Sequence, residues 1–162
     1  MFGLTTLGVF HTAVSLVAVV SGLWALARYR EILLTNRLGQ VYLVTTFLTA
    51  ATGLGIFQHG GFGPPHVLSI LTIVALATGT VAVVSRLFGR ASRYVQAISY
   101  SATMLFHMVP GFTESLTRLP PSAPLVASAE APVFQGIYGT LLLIFLIGLA
   151  LQLRWLRLSP SR

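Results

Sequence analysis

Five stretches of this chain are apolar for long enough to be read as helices in lipid. They run from about Leu7 to Ala27, Val41 to Phe57, His66 to Leu87, Tyr94 to Ser115 and Phe134 to Leu153. Each approaches the roughly 20 residues that carry a helix across a 30 Å hydrocarbon core. The breaks between them fall where arginine, glycine and proline collect. Inside hydrocarbon every backbone polar group needs a partner, which leaves helices or closed barrels. The ten-residue alternation of barrel strands is not seen. The pattern predicts an all-α integral membrane bundle of five transmembrane helices, forming a single transmembrane domain over 1–162 without internal repeats. The fourth stretch is the least apolar, since Gln96, Ser99, Ser101, Thr103 and His107 all lie in it. Pro110-Gly111 should kink that span or end it early.

Composition sharpens the picture. Of 162 residues, 55% are hydrophobic and 8% charged, whereas a soluble domain runs nearer a quarter charged. The composition argues against an ordinary soluble domain and excludes a disordered chain. There is no cysteine, so disulfides, thiolate metal sites and thiol nucleophiles are excluded as well.

The net charge of +7 comes from ten basic residues, all arginine, against three acidic ones. Such a balance raises the question of nucleic acid. The arginines stand singly between apolar runs, however, and no nucleic-acid module accompanies them, so no nucleic-acid partner is expected. Their positions are topological. Arg28, Arg30 and Arg37 lie between the first two spans, Arg86, Arg90 and Arg93 between the third and fourth, and Arg154, Arg157 and Arg162 after the fifth. Only Arg118 falls in an alternate connection. By the positive-inside rule, this sorting puts the N-terminus outside and the C-terminus in the cytoplasm. Trp24 and Trp155, near the basic ends, fit interfacial anchors. The first stretch lacks a basic n-region and a convincing cleavage site, so it reads as a retained span, not a signal peptide. The connection from about Leu116 to Pro132 holds four prolines and should be irregular, able to fold back over the helix ends.

No phosphate-binding loop, HExxH or GxSxG motif is present, and aspartate is absent. The groups left for acid–base or ligand chemistry are four histidines and three glutamates. His11, His59, His66, His107, Glu114 and Glu130 all fall in the outer half under this topology, with Gln135 opening the fifth span beside them. Helical spacing points several of them inward. Gln96, Ser99, Thr103, His107, Pro110 and Glu114 share one face, as do Gly8, His11, Ser15, Ala18 and Gly22 in the first span. Thr45, Thr49 and Thr52 make a similar stripe beside Gly53 in the second. Small and hydroxyl-bearing faces are those that pack between helices in lipid.

The expected site is a pocket in the outer half of the bundle. It is built from His11, His66 and His107, the candidate metal ligands, with Glu114, Glu130 and Gln135 as further cofactor-binding candidates. Neutral imidazoles ligate a divalent metal or a b-type haem without bringing charge into lipid. A histidine with a carboxylate handles quinone protons equally well. His59, in the glycine- and proline-rich turn 59–65, reads as a solvated turn residue. The competing expectation is a non-catalytic accessory subunit of a larger membrane complex, or a homo-oligomer. There the histidines are packing groups and a lipid-facing helix side meets the partner. No catalytic residue is expected.

Several segments carry a resemblance. They are His11-Thr12-Ala13-Val14-Ser15-Leu16 with Ser21-Gly22, Thr45-Thr46-Phe47-Leu48-Thr49 with Thr52-Gly53, His66-Val67-Leu68-Ser69-Ile70-Leu71, and the segment around Glu130, Pro132 and Gln135. Together they resemble a broad group of small, mostly uncharacterised bacterial multi-pass inner-membrane proteins of four to five spans with membrane histidines. That resemblance implies a bacterial inner-membrane location without an assigned reaction, and groups His11, His66, Glu130 and Gln135 as one feature. The group often carries asparagine where this chain has His107.

Overall fold

A computed structural model of the protein describes residues 5–57 and 61–159; of the residues singled out above, His59 and Arg162 lie outside that set. Five α-helices follow one another: α1 Thr6–Tyr29, α2 Arg37–Gly53, α3 Pro64–Ser85, α4 Ser92–Arg118 and α5 Val133–Leu158, with a 3₁₀ turn at Gly89–Ala91 before α4. The described residues contain no strand.

Local chemistry sets the boundaries. The Thr5 hydroxyl accepts from Gly8 N–H at 3.1 Å and starts α1, and the Asn36 amide oxygen accepts from Gly39 N–H at 2.7 Å and starts α2. Each satisfies a donor the first helical turn leaves open. Asn36 therefore moves the start of α2 about four residues ahead of the apolar run, and the turn at Leu54-Gly55 ends it before Phe57. Pro64 and Pro65 occupy the first turn of α3, where a missing N–H costs nothing. The α1 and α3 helices both end on an arginine in the left-handed region, Arg30 at φ 61° and Arg86 at φ 52°. The expected break at Pro110 does not end α4, which continues to Arg118. Proline there removes one N–H from the helical ladder without stopping it. Beyond Arg118 the irregular segment folds back on the helix it leaves: Val126 N–H donates to the Leu116 carbonyl at 2.9 Å.

Three helices, α1, α3 and α5, are long and apolar enough to cross a membrane. The α2 helix has 17 residues, and α4 carries the polar stripe. Consecutive helices run antiparallel, so the ends of α1, α3 and α5 and the starts of α2 and α4 share one end of the bundle. Every described arginine except Arg118 sits there; we call it the arginine end.

Small residues set the helix spacing. A Cβ added at Gly22 would collide with Met104 Cε and lie 2.6 Å from the Tyr42 ring, and one at Gly79 would lie 2.6 Å from the Tyr100 ring. In lipid, where the hydrophobic effect does not press helices together, such close approach and interhelix hydrogen bonds hold the bundle. The core is Ala18, Ala25, Ile32, Tyr42, Leu43, Leu76, Tyr100 and Met104. The α5 helix stands apart: it packs on α4 and buries only Phe134, Gln152 and Leu156. Gly136, Gly139 and Gly148 on it face open space.

Candidate functional site

His107 lies midway along α4 and is 6% exposed. Its Nε2 hydrogen-bonds Thr46 Oγ1 of α2 at 3.1 Å, and its Nδ1 hydrogen-bonds Ser15 Oγ of α1 at 3.3 Å. Tyr42 meets the ring edge-on, with centroids 6.2 Å apart. One imidazole thus ties three helices. A neutral imidazole has one donor and one acceptor nitrogen, and the two hydroxyls adapt to whichever tautomer it takes.

His11 is half-buried on α1, and its Nδ1 hydrogen-bonds Thr52 Oγ1 of α2 at 3.0 Å. Thr46 and Thr52 are six residues apart, about 9 Å along the helix. The two histidines are therefore bonded at different levels of α2, each to its own hydroxyl. Gly53 makes room for this arrangement: a Cβ there would lie 2.6 Å from Ser69 Oγ and 3.4 Å from His11 Cε1.

His66 is somewhere else again. It is 4% exposed at the start of α3, with its ring between those of Phe57 and Phe62 (centroids 4.5 and 5.2 Å). Its Nδ1 accepts from Gly63 N–H at 3.2 Å, so the neutral ring carries its proton on Nε2. That Nε2 is buried and has no hydrogen-bond partner among the described residues.

The remaining candidates are solvent-side groups. Glu114 is exposed and pairs with Arg118 one turn on. Glu130 is exposed and accepts from the Ser128 hydroxyl. Gln135 is exposed in the first turn of α5, its backbone N–H donating to the Pro132 carbonyl at 3.1 Å. Among the described residues, no three histidine, aspartate or glutamate side chains gather closely enough to hold a metal ion. His11, His66 and His107 are bonded at three separate positions, and as arranged they do not form a three-ligand centre. Axial ligation of a haem by His107 would require the ring to give up its hydrogen bond to Thr46 or to Ser15.

Below His107 the polar face of α4 continues as hydroxyl pairs. Tyr42 OH and Thr103 Oγ1 are 2.6 Å apart, and Tyr100 OH and Thr80 Oγ1 are 2.9 Å apart. The α2 stripe is turned slightly from its expected register. Thr46, not Thr45, faces the core; the Thr45 hydroxyl donates to its own helix at the Val41 carbonyl. A polar cluster of which periodicity singled out only Gln96 lies at the arginine end. Arg93 Nη2 donates to Glu31 Oε1 at 3.3 Å, Gln96 Nε2 to the Ile32 carbonyl at 2.8 Å, Ser101 Oγ to Gln152 Oε1 at 2.8 Å, and Gln152 Nε2 to the Arg30 carbonyl at 2.7 Å. The available signals were an isolated Glu31 among arginines and a lone Gln152 in an apolar run. Trp155, expected as an interfacial anchor, carries the guanidinium groups of Arg30 and Arg93 over its ring at 5.8 and 5.6 Å.

Comparison with protein families, curated proteins and solved structures found no match to this chain.

Proposed function

We propose that this chain is a non-catalytic subunit of a membrane assembly. In this reading it is a five-span protein of a bacterial inner membrane, with the N-terminus outside and the arginine end in the cytoplasm. The observation that carries the reading is His107, whose two ring nitrogens are both engaged by hydroxyls from neighbouring helices. Such a ring is a packing group that fixes α1, α2 and α4 against one another. The partner side is the one offered by α5, which packs on α4, meets Arg30 only near its C-terminal end through Gln152 and Trp155, and leaves Leu142, Leu143, Ile144, Leu146 and Ile147 exposed. The resemblance to small multi-pass membrane proteins with membrane histidines agrees with this reading.

Purification in a mild detergent tests it. A colourless, metal-free preparation is expected, with another membrane protein or a second copy retained on native gels. A Soret band or stoichiometric metal that is lost on His11→Ala or His107→Ala would refute it. The topology is tested separately: a reporter fused after Arg162 should read cytoplasmic, and one inserted at Ser122 periplasmic.

A second reading, that the outer end binds a small ligand, is favoured by one observation, the buried Nε2–H of His66, which has no partner among the described residues. A donor between two aromatic rings suits an acceptor oxygen such as a quinone carbonyl better than a metal, because its other nitrogen is spent on Gly63. Quinone retained by the wild type and released by His66→Ala would favour it over the subunit reading.

A further inference from the structure

The segment between α1 and α2 does not hang free at the arginine end. It is tucked under the bundle, with Glu31 and Ile32 buried and their surroundings bonded to Arg93, Gln96 and Gln152. Between it and α5 lies a partly enclosed cavity of about 150 Å³, lined by Arg28, Tyr29, Arg30, Glu31, Leu33 and Trp155. That is several times the roughly 30 Å³ share of one water molecule in the liquid. It admits a phosphate-sized group with a little hydration.

The charge in this cavity is one-sided. Glu31, the carboxylate in its wall, is already paired with Arg93. Arg28 and Arg30 make no carboxylate pair among the described residues. Arg28 Nε donates to the Tyr29 hydroxyl at 3.3 Å with its guanidinium 5.6 Å from that ring's centre, and Arg30 stands over Trp155. A guanidinium held over an aromatic face keeps an N–H edge for an oxyanion: Arg28, with its Nε–H on Tyr29, keeps the edge formed by its two Nη groups, and Arg30 over Trp155 offers either edge. The C-terminus of α1 opposes an anion, but its dipole amounts to about half a negative charge, against two full positive charges without a carboxylate. The balance favours an anion.

We propose that this cavity binds a phosphate-bearing anion, gripped by Arg28 and Arg30 and floored by Trp155. The shared chemistry is a phosphate group, whether it belongs to a phospholipid headgroup or to a soluble phosphate. The proposal is independent of the role of the histidines at the other end.

Trp155 supplies the readout. In a Trp24→Phe background its fluorescence is followed in micelles of an uncharged, phosphate-free maltoside detergent. The full chain is titrated with inorganic phosphate in one arm and with short-chain phosphatidylglycerol in the other. A saturable change is expected in at least one arm. Saturation with phosphatidylglycerol alone assigns the site to a headgroup, and saturation with inorganic phosphate as well assigns it to a soluble anion. Arg28→Gln with Arg30→Gln should weaken binding by at least about tenfold, and Arg28→Gln alone, at an exposed position, by a lesser amount. Arg154→Gln with Arg157→Gln removes the same charge from the same end outside the cavity and should leave binding within about twofold. No saturable change in either arm overturns the proposal. So does equal weakening by the two double variants, which would mean a diffuse field and not a site.

Discussion

Replacing His107 by alanine tests whether the buried imidazole is a clamp. The substitution removes two interhelix hydrogen bonds, to Thr46 and Ser15. Within a membrane each such bond contributes about 0.6 kcal/mol on average, up to about 1.7, so the pair accounts for about 1.2. The ring also leaves a hole. If roughly 30 Å³ stays unfilled, the penalty at about 24 cal/mol per Å³ adds about 0.7 kcal/mol. The orphaned Thr46 hydroxyl has a fallback, because threonine in a helix can donate to the carbonyl four residues earlier, as Thr45, Thr49 and Thr52 already do. The sum is about 2 kcal/mol of destabilisation. Thr46→Val, which removes one bond and little volume, should cost about 1 kcal/mol. In the double variant the two effects should fall short of additivity by about 0.6 kcal/mol or more, since both delete the same bond. Unfolding by a denaturing detergent, followed by circular dichroism from a mild-detergent starting state, measures all three variants. A loss below about 0.5 kcal/mol for His107→Ala, or strict additivity with Thr46→Val, would refute the clamp.

Glycine positions give a matched pair: Gly22→Ala drives a methyl into Met104 and Tyr42 and should cost about 1–3 kcal/mol, whereas Gly136→Ala, with open space around it, should be neutral or slightly stabilising in the same assay. Gln152→Leu deletes the bonds to Ser101 and to the Arg30 carbonyl; it should loosen α5 and the segment after α1, seen as faster proteolysis near Arg30, and unchanged protection would argue against that anchoring role. Glu31→Gln takes the partner from Arg93, itself a quarter exposed; partial solvation should hold the cost to about 1–2 kcal/mol, diminishing at high salt, and a salt-independent effect would contradict an ionic origin.

Much of the candidate site can be traced to spacing along single helices. Gln96, Thr103 and His107 share a face and are all buried, because a helix with one polar stripe turns it to where hydroxyls and imidazoles find partners. The stripe stops being a guide past His107: Pro110 and Glu114 continue the same spacing yet are exposed. His11 and His107 looked level by counting residues, but Thr52 and Thr46 hold them at different heights on α2. His66 shares their end of the bundle without sharing their contacts, because its ring is spent on the turn that starts α3 and on two phenyl faces. The grouping of Glu130 and Gln135 with these histidines rested on a shared end of the bundle. Both side chains lie exposed there.

Local and periodic features could be read along the chain: the all-α class, five helices, their approximate limits, and the gathering of arginine at one end. Those properties follow from runs, caps and charges, which neighbouring residues settle among themselves. Tertiary structure decided which hydroxyl meets which imidazole, that Thr46 faces inward in place of Thr45, and that Glu31, Gln152 and Trp155 join one polar cluster across 122 residues of chain. A hydrogen bond needs its partner within about 3 Å, and a helical turn advances about 5.4 Å. A one-residue rotation or a half-turn slide between helices therefore exchanges every pair while leaving the sequence pattern unchanged.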